Sequence, residues 1–391
     1  MRLLFFFLLS FTVYAQSIDD AINYNFNNEI GNSRFTSMGG AFGALGGNLS
    51  SISINPASGS VFEMSRLGGS FAIESNNIES NFNNNSSERK KSSLQFQGGI
   101  IYVFKNYGEG MLNKFSFGFN FQSSNSYNNE ILISGNNDLS VDKFFLNNSF
   151  GLNPSEISVN NNESITSVYR FLGNNYGYYA QQAFLGYQSY LLNYDDDSKS
   201  FYSLAKYDNG LSIKNEVFSS GNKSKASLNL SGLFNKNLYF GFNINIYETN
   251  INKEIIHSED NFDSDSIVRF INFSNYLQTS GIGFSLQAGL IYKISNLRLG
   301  ISYESPNWFN FEDQLEQEIE VQSIDPTSDE LYVDIVDPRI VNIYEYNYRT
   351  PSKLTFSAAT VIRNMLILSF DLENINYSKS KFSSAENTAY N

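Results

Sequence analysis

Alternation is the feature that leaves this chain the fewest choices. Between Asn113 and Gln122, Phe115, Phe117, Phe119 and Phe121 are interleaved with Ser116, Gly118, Asn120 and Gln122. Between Asn237 and Glu248, Leu238, Phe240, Phe242, Ile244 and Ile246 alternate with Tyr239, Gly241, Asn243, Asn245 and Tyr247. The same period puts Leu94, Phe96, Ile100, Tyr102 and Phe104 on one face of a third segment, and Ile282, Phe284, Leu286, Ala288, Leu290 and Tyr292 on one face of a fourth. Similar patterns run from Leu67 to Ile73, Ala226 to Phe234, Leu297 to Tyr303, Leu354 to Val361 and Leu366 to Leu372. A period of two is a strand with one apolar face. Lengths of ~9–13 residues match what a tilted strand needs to cross a membrane.

Two architectures use such strands. A soluble sandwich turns the apolar face inward, whereas a membrane barrel turns it out to lipid and keeps the small and polar face inside. Periodicity alone does not give the direction. The connections favour the barrel. Links after Phe104, Phe234, Tyr292 and Val361 are short, and those over 78–91, 128–222, 251–276 and 304–349 are long. Outer-membrane barrels alternate in this way between short periplasmic turns and long external loops. About nine strands are expected, the ninth, Leu366 to Tyr377, running outward.

The N-terminus fits export. Arg2 precedes an apolar run from Leu3 to Val13, followed by Val13-Tyr14-Ala15, the pattern of a secretory signal peptide cut after Ala15. Residues 1–15 are therefore a Sec-type signal, and no later run offers the ~18 apolar residues of a spanning helix. The chain has no cysteine, which excludes disulfides, thiolate metal sites and a thiol nucleophile. A formal charge of −13 argues against nucleic acid as a partner.

Residues 16–65 precede the first strand, and Met38 to Ser58 reads "MGGAFGALGGNLSSISINPAS". Gly39, Gly40, Gly43, Gly46 and Gly47 lack the spacing of a phosphate loop, while Phe42, Leu45, Leu49, Ile52 and Ile54 suit burial. A compact glycine-rich segment of this kind needs a container, and a barrel lumen would hold it as a plug, or hatch.

Three ordered stretches carry a resemblance: "SRFTSMGGAFGALGGNLSSISINPAS", "SYESPNWFNFED" and "YNYRTPSKLTFSAATVIRNMLILSFDLENINYS". With them the chain resembles the FadL-type long-chain fatty-acid transporters, in the form common in Bacteroidetes, over residues ~31–380. Asn55-Pro56-Ala57 matches that family's hatch motif. The resemblance implies an all-β, 14-stranded transmembrane barrel over 66–391 with an N-terminal hatch. It also implies passive uptake of hydrophobic compounds and lateral exit through the wall at a kinked third strand. Five strands of the family pattern are missing here, so the chain is expected to be C-terminally truncated, because open edges are not tolerated in lipid. The expected setting is the outer membrane, as a monomer among its lipids and lipopolysaccharide, with a hydrophobic small molecule as cargo and no cofactor.

Candidate sites follow. Gly118, mid-strand in the third strand, marks the expected opening or makes room for the hatch; Ser123 to Tyr127, where alternation fails, is the other candidate. In the connection 128–222, Tyr179, Ala183, Phe184, Tyr187, Tyr190 and Leu191 fall on one helical face, an external surface for a lipid-like ligand or a helix packed on the rim. Trp308, Phe309 and Phe311 form a second aromatic cluster, a ligand surface or an interfacial anchor. His257, the one histidine, has no visible catalytic partner and gives neither a triad nor a haem site support. Acidic stretches at 195–197 and 258–266 lack calcium-loop spacing and read as solvated loops. An adhesin or structural barrel, and less readily a lipid-acting enzyme, are the alternatives to a channel.

Overall fold

The computed structural model describes residues 18–25, 31–83, 85–108, 110–325, 327–363 and 365–384, so the signal segment 1–15 lies outside the described residues. The chain is all-β, and its main sheet is antiparallel and curls into half a barrel. Nine strands follow one another along it: β1 (Arg66–Phe82), β2 (Asn85–Lys105), β3 (Leu112–Ser126), β7 (Leu211–Phe234), β8 (Leu238–Asp260), β9 (Val268–Ile294), β10 (Leu297–Glu304), β14 (Lys353–Ile362) and β15 (Leu366–Ile375). Off this path, β4 (Asn129–Asn137) pairs with β7, β11 (Trp308–Ile324) pairs with β9, β12 (Leu331–Val336) and β13 (Asn342–Arg349), and β16 (Lys381–Ser384) pairs with β13. Among the described residues no helix is long and apolar enough to cross a membrane.

Each alternating run became a strand, yet the strands outrun the alternation. The expected long link 78–91 is a hairpin with a tight turn at Asn83 (φ 43°), and β8 and β9 extend through most of 251–276. In these extensions the apolar residues no longer keep to one face, as with the adjacent Ile255 and Ile256 or Phe270 and Ile271, so a period-two hydrophobic signal does not mark them. The connection 128–222 forms β4, helices α3 (Asp142–Asn148), α4 (Ile165–Asn175) and α5 (Tyr178–Gln188), and the hairpin β5 (Leu192–Asp195) with β6 (Ser200–Ser203). Its core of Phe145, Tyr169, Leu172, Phe184 and Leu191 packs on Ile271 and Phe273 of β9 and Ile319 and Val321 of β11.

The two faces of the sheet differ as the alternation requires. Phe115, Phe117, Phe119, Phe240, Phe242 and Ile244 are exposed, while Ser116, Asn120, Gln122, Asn229, Asn243, Ser285 and Gln287 are buried. The N-terminal segment covers that polar face. It enters as two short helices, α1 (Ile18–Asn25) and α2 (Ser33–Ser37), and continues in 3-10 turns at Leu49–Ile52 and Pro56–Val61. Irregular backbone leaves carbonyls without partners, and the strands' polar side chains supply them. Asn243 Nδ2 donates to Ile52 O at 2.8 Å, Asn229 Nδ2 to Pro56 O at 2.9 Å, and Gln287 Nε2 to Ser53 O and Ile54 O at 3.0 Å each.

Candidate functional site

Asn55, Pro56 and Ala57 form a hub between this segment and the sheet. The Asn55 side chain caps the following 3-10 turn, accepting from Ala57 N at 3.0 Å, and Pro56 takes the first position of the turn, where no N–H is needed. Its Nδ2 donates to Gly43 O at 2.8 Å and to Leu290 O of β9 at 3.2 Å. Asn55 and Ala57 are wholly buried. Gly39, Gly40, Gly46 and Gly47 hold φ of 63° to 74°, which side chains rarely adopt. Gly43 is needed for closeness instead: a Cβ there would lie 2.1 Å from Ser357 Oγ of β14, and its N–H donates to Asp371 Oδ2 of β15 at 2.9 Å. Sequence reasoning missed the receiving glycines. A Cβ on Gly241 would meet Pro56 C at 2.3 Å, and one on Gly289 would meet Asn55 Oδ1 at 2.0 Å. Glycine on the polar face of an apolar-alternating strand was the available signal.

Gly118 is not where the wall is interrupted. It sits in an unbroken ladder between Ile101 and Asn229, and its missing Cβ makes room for the Ile101 side chain, 2.7 Å from where a Cβ would stand. The interruption lies beyond it, over Ser123 to Asn128. Pairing of β2 with β3 ends at Gln97–Gln122, and the β3–β7 register shifts between Ser123 and Asn125. From there β7 passes to β4 through Gly221 (φ 127°), while the Asn85–Phe96 half of β2 has no backbone ladder with β4. A cavity of about 260 Å³ opens at the break, lined by Leu94, Gln95, Ser123, Asn125, Asn128 and Gly221 among others. Beyond it, side chains alone tie β2 to β4. Glu130 Oε1 meets Arg89 Nε at 3.1 Å and its Oε2 meets Lys91 Nζ at 2.9 Å. The Lys91 hydrogen bond, with the charges of Lys91 and Arg89, holds the Glu130 carboxyl below its ordinary value.

On the buried face of the sheet lies a packed aromatic cluster of Tyr24, Tyr247, Phe309, Phe311, Tyr346 and Tyr348. Tyr24 of α1 stacks on Phe311 with ring centroids 4.4 Å apart, and its carbonyl accepts from Lys223 Nζ at 2.7 Å. Lys223 directly follows Asn222, which lines the break. Next to this cluster, Glu304 is buried, accepting from Tyr247 Oη, and from Ser285 Oγ at 2.9 Å, and facing Lys225 Nζ at 3.5 Å and Lys353 Nζ at 3.8 Å. Among the described residues no cluster of acidic residues and histidine is arranged to hold a metal ion.

Several expected surface residues prove to be interior. Phe184 and Leu191 have no exposure and Phe309 has 1 %, so they are core rather than open ligand surface. The helix α5 ends at Gln188, and Tyr190 (φ 57°) turns away, so Tyr190 and Leu191 do not extend its face. Tyr179, Tyr190 and Trp308 are exposed and Tyr187 is half-buried. Trp308 and Phe309, neighbours in β11, necessarily point to opposite faces of the sheet. His257 lies in β8 rather than a loop, its Nε2 2.8 Å from Glu259 Oε1; that carboxylate also accepts from Ser140 Oγ and from Val141 N, which suits a structural anchor. In the acidic stretch 258–266, Asp265 pairs with Lys206 at 2.8 Å and Asp263 accepts from Asp208 N. Comparison with family models, with curated proteins and with solved structures finds no match.

Proposed function

We propose that this chain forms the wall of an outer-membrane channel of the FadL type, for passive uptake of hydrophobic compounds such as long-chain fatty acids. In this reading residues 16–65 are the hatch, and the exposed aromatic face of the sheet meets lipid around a monomer. The observation that carries it is the interruption between β2 and β3–β4, tied through Lys223 to Tyr24 of the aromatic cluster. A hydrophobic solute that must reach the membrane without crossing water needs a side exit of this sort. The apolar face supports a lipid setting, since alternating strands with phenylalanine and isoleucine outside and asparagine and serine inside suit one. Edges at β1 and β15, each paired on one side among the described residues, would be costly in lipid, so the reading has further strands closing the half-barrel. In this reading Tyr24 of α1 fills the aromatic cluster, and its withdrawal would open space there for a ligand.

The test is transport. Cells carrying the full-length gene are expected to take up labelled oleate faster than cells without it. Cysteines at Gln95 and Ser126, joined across the break by a short bifunctional thiol reagent, should stop uptake while ligand binding persists. No gain in uptake sinks the channel reading; undiminished uptake with the break sealed sinks the lateral route alone.

A further inference from the structure

On the exposed face of β8, β9, β11 and β13 lies a groove of about 930 Å³ that shares no lining residue with the break and reaches Phe311 and Tyr346 of the aromatic cluster at its edge. Its apolar part is built from Ile282, Phe284 and Trp308, 67 %, 50 % and 38 % exposed. The Phe284 and Trp308 rings lie 5.1 Å apart. Its polar part carries Glu248, Glu312 and Glu345. Glu312 and Glu345 are register partners across the β11–β13 ladder, both on this face. Like charges directly opposite on one face of a sheet repel, with Cβ atoms only ~5 Å apart. Glu312 accepts one hydrogen bond from Gln314 and Glu248 one from Asn250, and none of the three carboxylates has a cationic partner among the described residues. Arg349, the cation closest in register, stands opposite Trp308, four residues along β13 from Glu345, and forms no ion pair with it.

The order of these groups along the strands is informative. Down β11, Glu312 comes first, then Asn310, then Trp308; down β9 the matching rows are Ser280, Ile282 and Phe284. Glu312 and Glu345 therefore stand at one end of the groove, Glu248 flanks it level with Ile282, and an aromatic and aliphatic floor of Ile282, Phe284 and Trp308 runs away from the pair, continuous with the exposed apolar band of β8 and β9. An occupant that fits has a positive head and an apolar tail. An ammonium is attracted both by paired carboxylates and by the face of a tryptophan. A carboxylate-headed solute would be repelled, so the groove is not a second seat for fatty-acid cargo.

We infer that the groove binds a lipid of the surrounding leaflet whose headgroup carries a net positive ammonium, the ammonium lying between Glu312 and Glu345 and the acyl chain along Trp308, Phe284 and Ile282. The inference rests on the reading that this face of the sheet meets lipid.

Trp308 is the single tryptophan of the chain, so its fluorescence reports on this groove alone. The full chain is placed in lipid nanodiscs containing equal small fractions of a lipid with brominated acyl chains, bearing either a trimethylammonium or a phosphoglycerol headgroup. Bromine quenches tryptophan on contact. The trimethylammonium lipid should quench Trp308 at about threefold lower mole fraction or better. In the double variant E312Q/E345Q the two lipids should become equal, whereas E254Q/E318Q, which removes the same charge elsewhere on the exposed strands, should keep the preference. Equal quenching by both lipids in the unmodified protein overturns the inference and leaves the channel reading intact. A preference that survives in E312Q/E345Q assigns it to net charge and overturns the site. Absence of quenching by either lipid removes the lipid-facing reading itself.

Discussion

Asn307 and Thr350 hold each other at adjacent chain breaks. The Asn307 N–H donates to Thr350 Oγ1 at 2.8 Å, and the Thr350 N–H returns to Asn307 O at 3.0 Å. Pro306 and Pro351 stand beside them, and proline has no N–H for a ladder. At this level β10 gives way to β11 and β13 to β14, so two of the three stretches that carry the family resemblance meet side by side. The exchange keeps the backbone of both breaks satisfied where the ladder cannot.

Replacing Thr350 with valine keeps its shape and removes the acceptor for Asn307 N–H. The loss is expected to cost about 1–2 kcal/mol. Thermal unfolding of the purified protein in detergent should show a lowered midpoint, and T350S should restore it.

Asn55→Ala should be costlier, since it removes one acceptor and the donor shared between Gly43 O and Leu290 O in a fully buried place. About 2–4 kcal/mol is expected from the lost bonds and the stranded carbonyls. Limited proteolysis between residues 31 and 65 should become faster while the strands stay protected.

Gly241→Val presses a side chain onto the Pro56 carbonyl, where even a Cβ has only 2.3 Å. Displacement of the segment should destabilise it by about 1–3 kcal/mol. Gly118→Ala, by contrast, meets the movable end of Ile101 at 2.7 Å and the Ile100 carbonyl oxygen no closer than 3.3 Å, and its effect on proteolysis of the segment should be smaller.

Facing can be tested on neighbours. Phe117→Arg puts charge on the apolar face and should cost about 2–4 kcal/mol in a bilayer. Phe117→Arg in a water-soluble setting should be nearly harmless, so folding yield into lipid vesicles against yield in mild detergent separates the two. Ser116 is fully buried beneath the N-terminal segment, so only small changes such as Ser116→Thr should be mild there.

Glu130 makes the tie between β2 and β4 depend on pH. Its carboxyl is held below 4.5 by Lys91 and Arg89, so the tie is complete above that value and is lost as pH falls through the lowered one. Both partners are substantially exposed, so added salt should weaken it as well. Spin labels at Ser87 and Leu132 are expected to separate on acidification, and in Glu130→Gln to be separated already at neutral pH.

The strands were legible because one face of each is continuously apolar, as in Phe115 to Phe121. Where the apolar residues leave that one face, as at the adjacent Ile255 and Ile256, the same ladder continues without a sequence signal. The glycine-rich segment could be read as buried from Phe42, Leu45 and Ile52, and Asn55 as a local cap. Its bond to Leu290 O could not, since 235 positions separate them. Direction was the other gap. A helical face with Phe184 on it looks the same whether it packs on β9 and β11 or greets a ligand, and only tertiary contacts decide. The break at Ser123 to Asn128 was visible as failed alternation, while the register shift that makes it was not.

The partners of the N-terminal segment also prescribe an order of events. Its carbonyls are claimed by Asn229, Asn243 and Gln287, between 173 and 234 positions downstream. Contacts so distant in sequence are slow to form, because a long loop must close before they repay anything. The part of the chain made first is thus the part that settles last. Until β7, β8 and β9 stand together, its apolar residues have no seat, and a holdase that keeps it extended would raise the yield of refolded protein more than one that engages the strands.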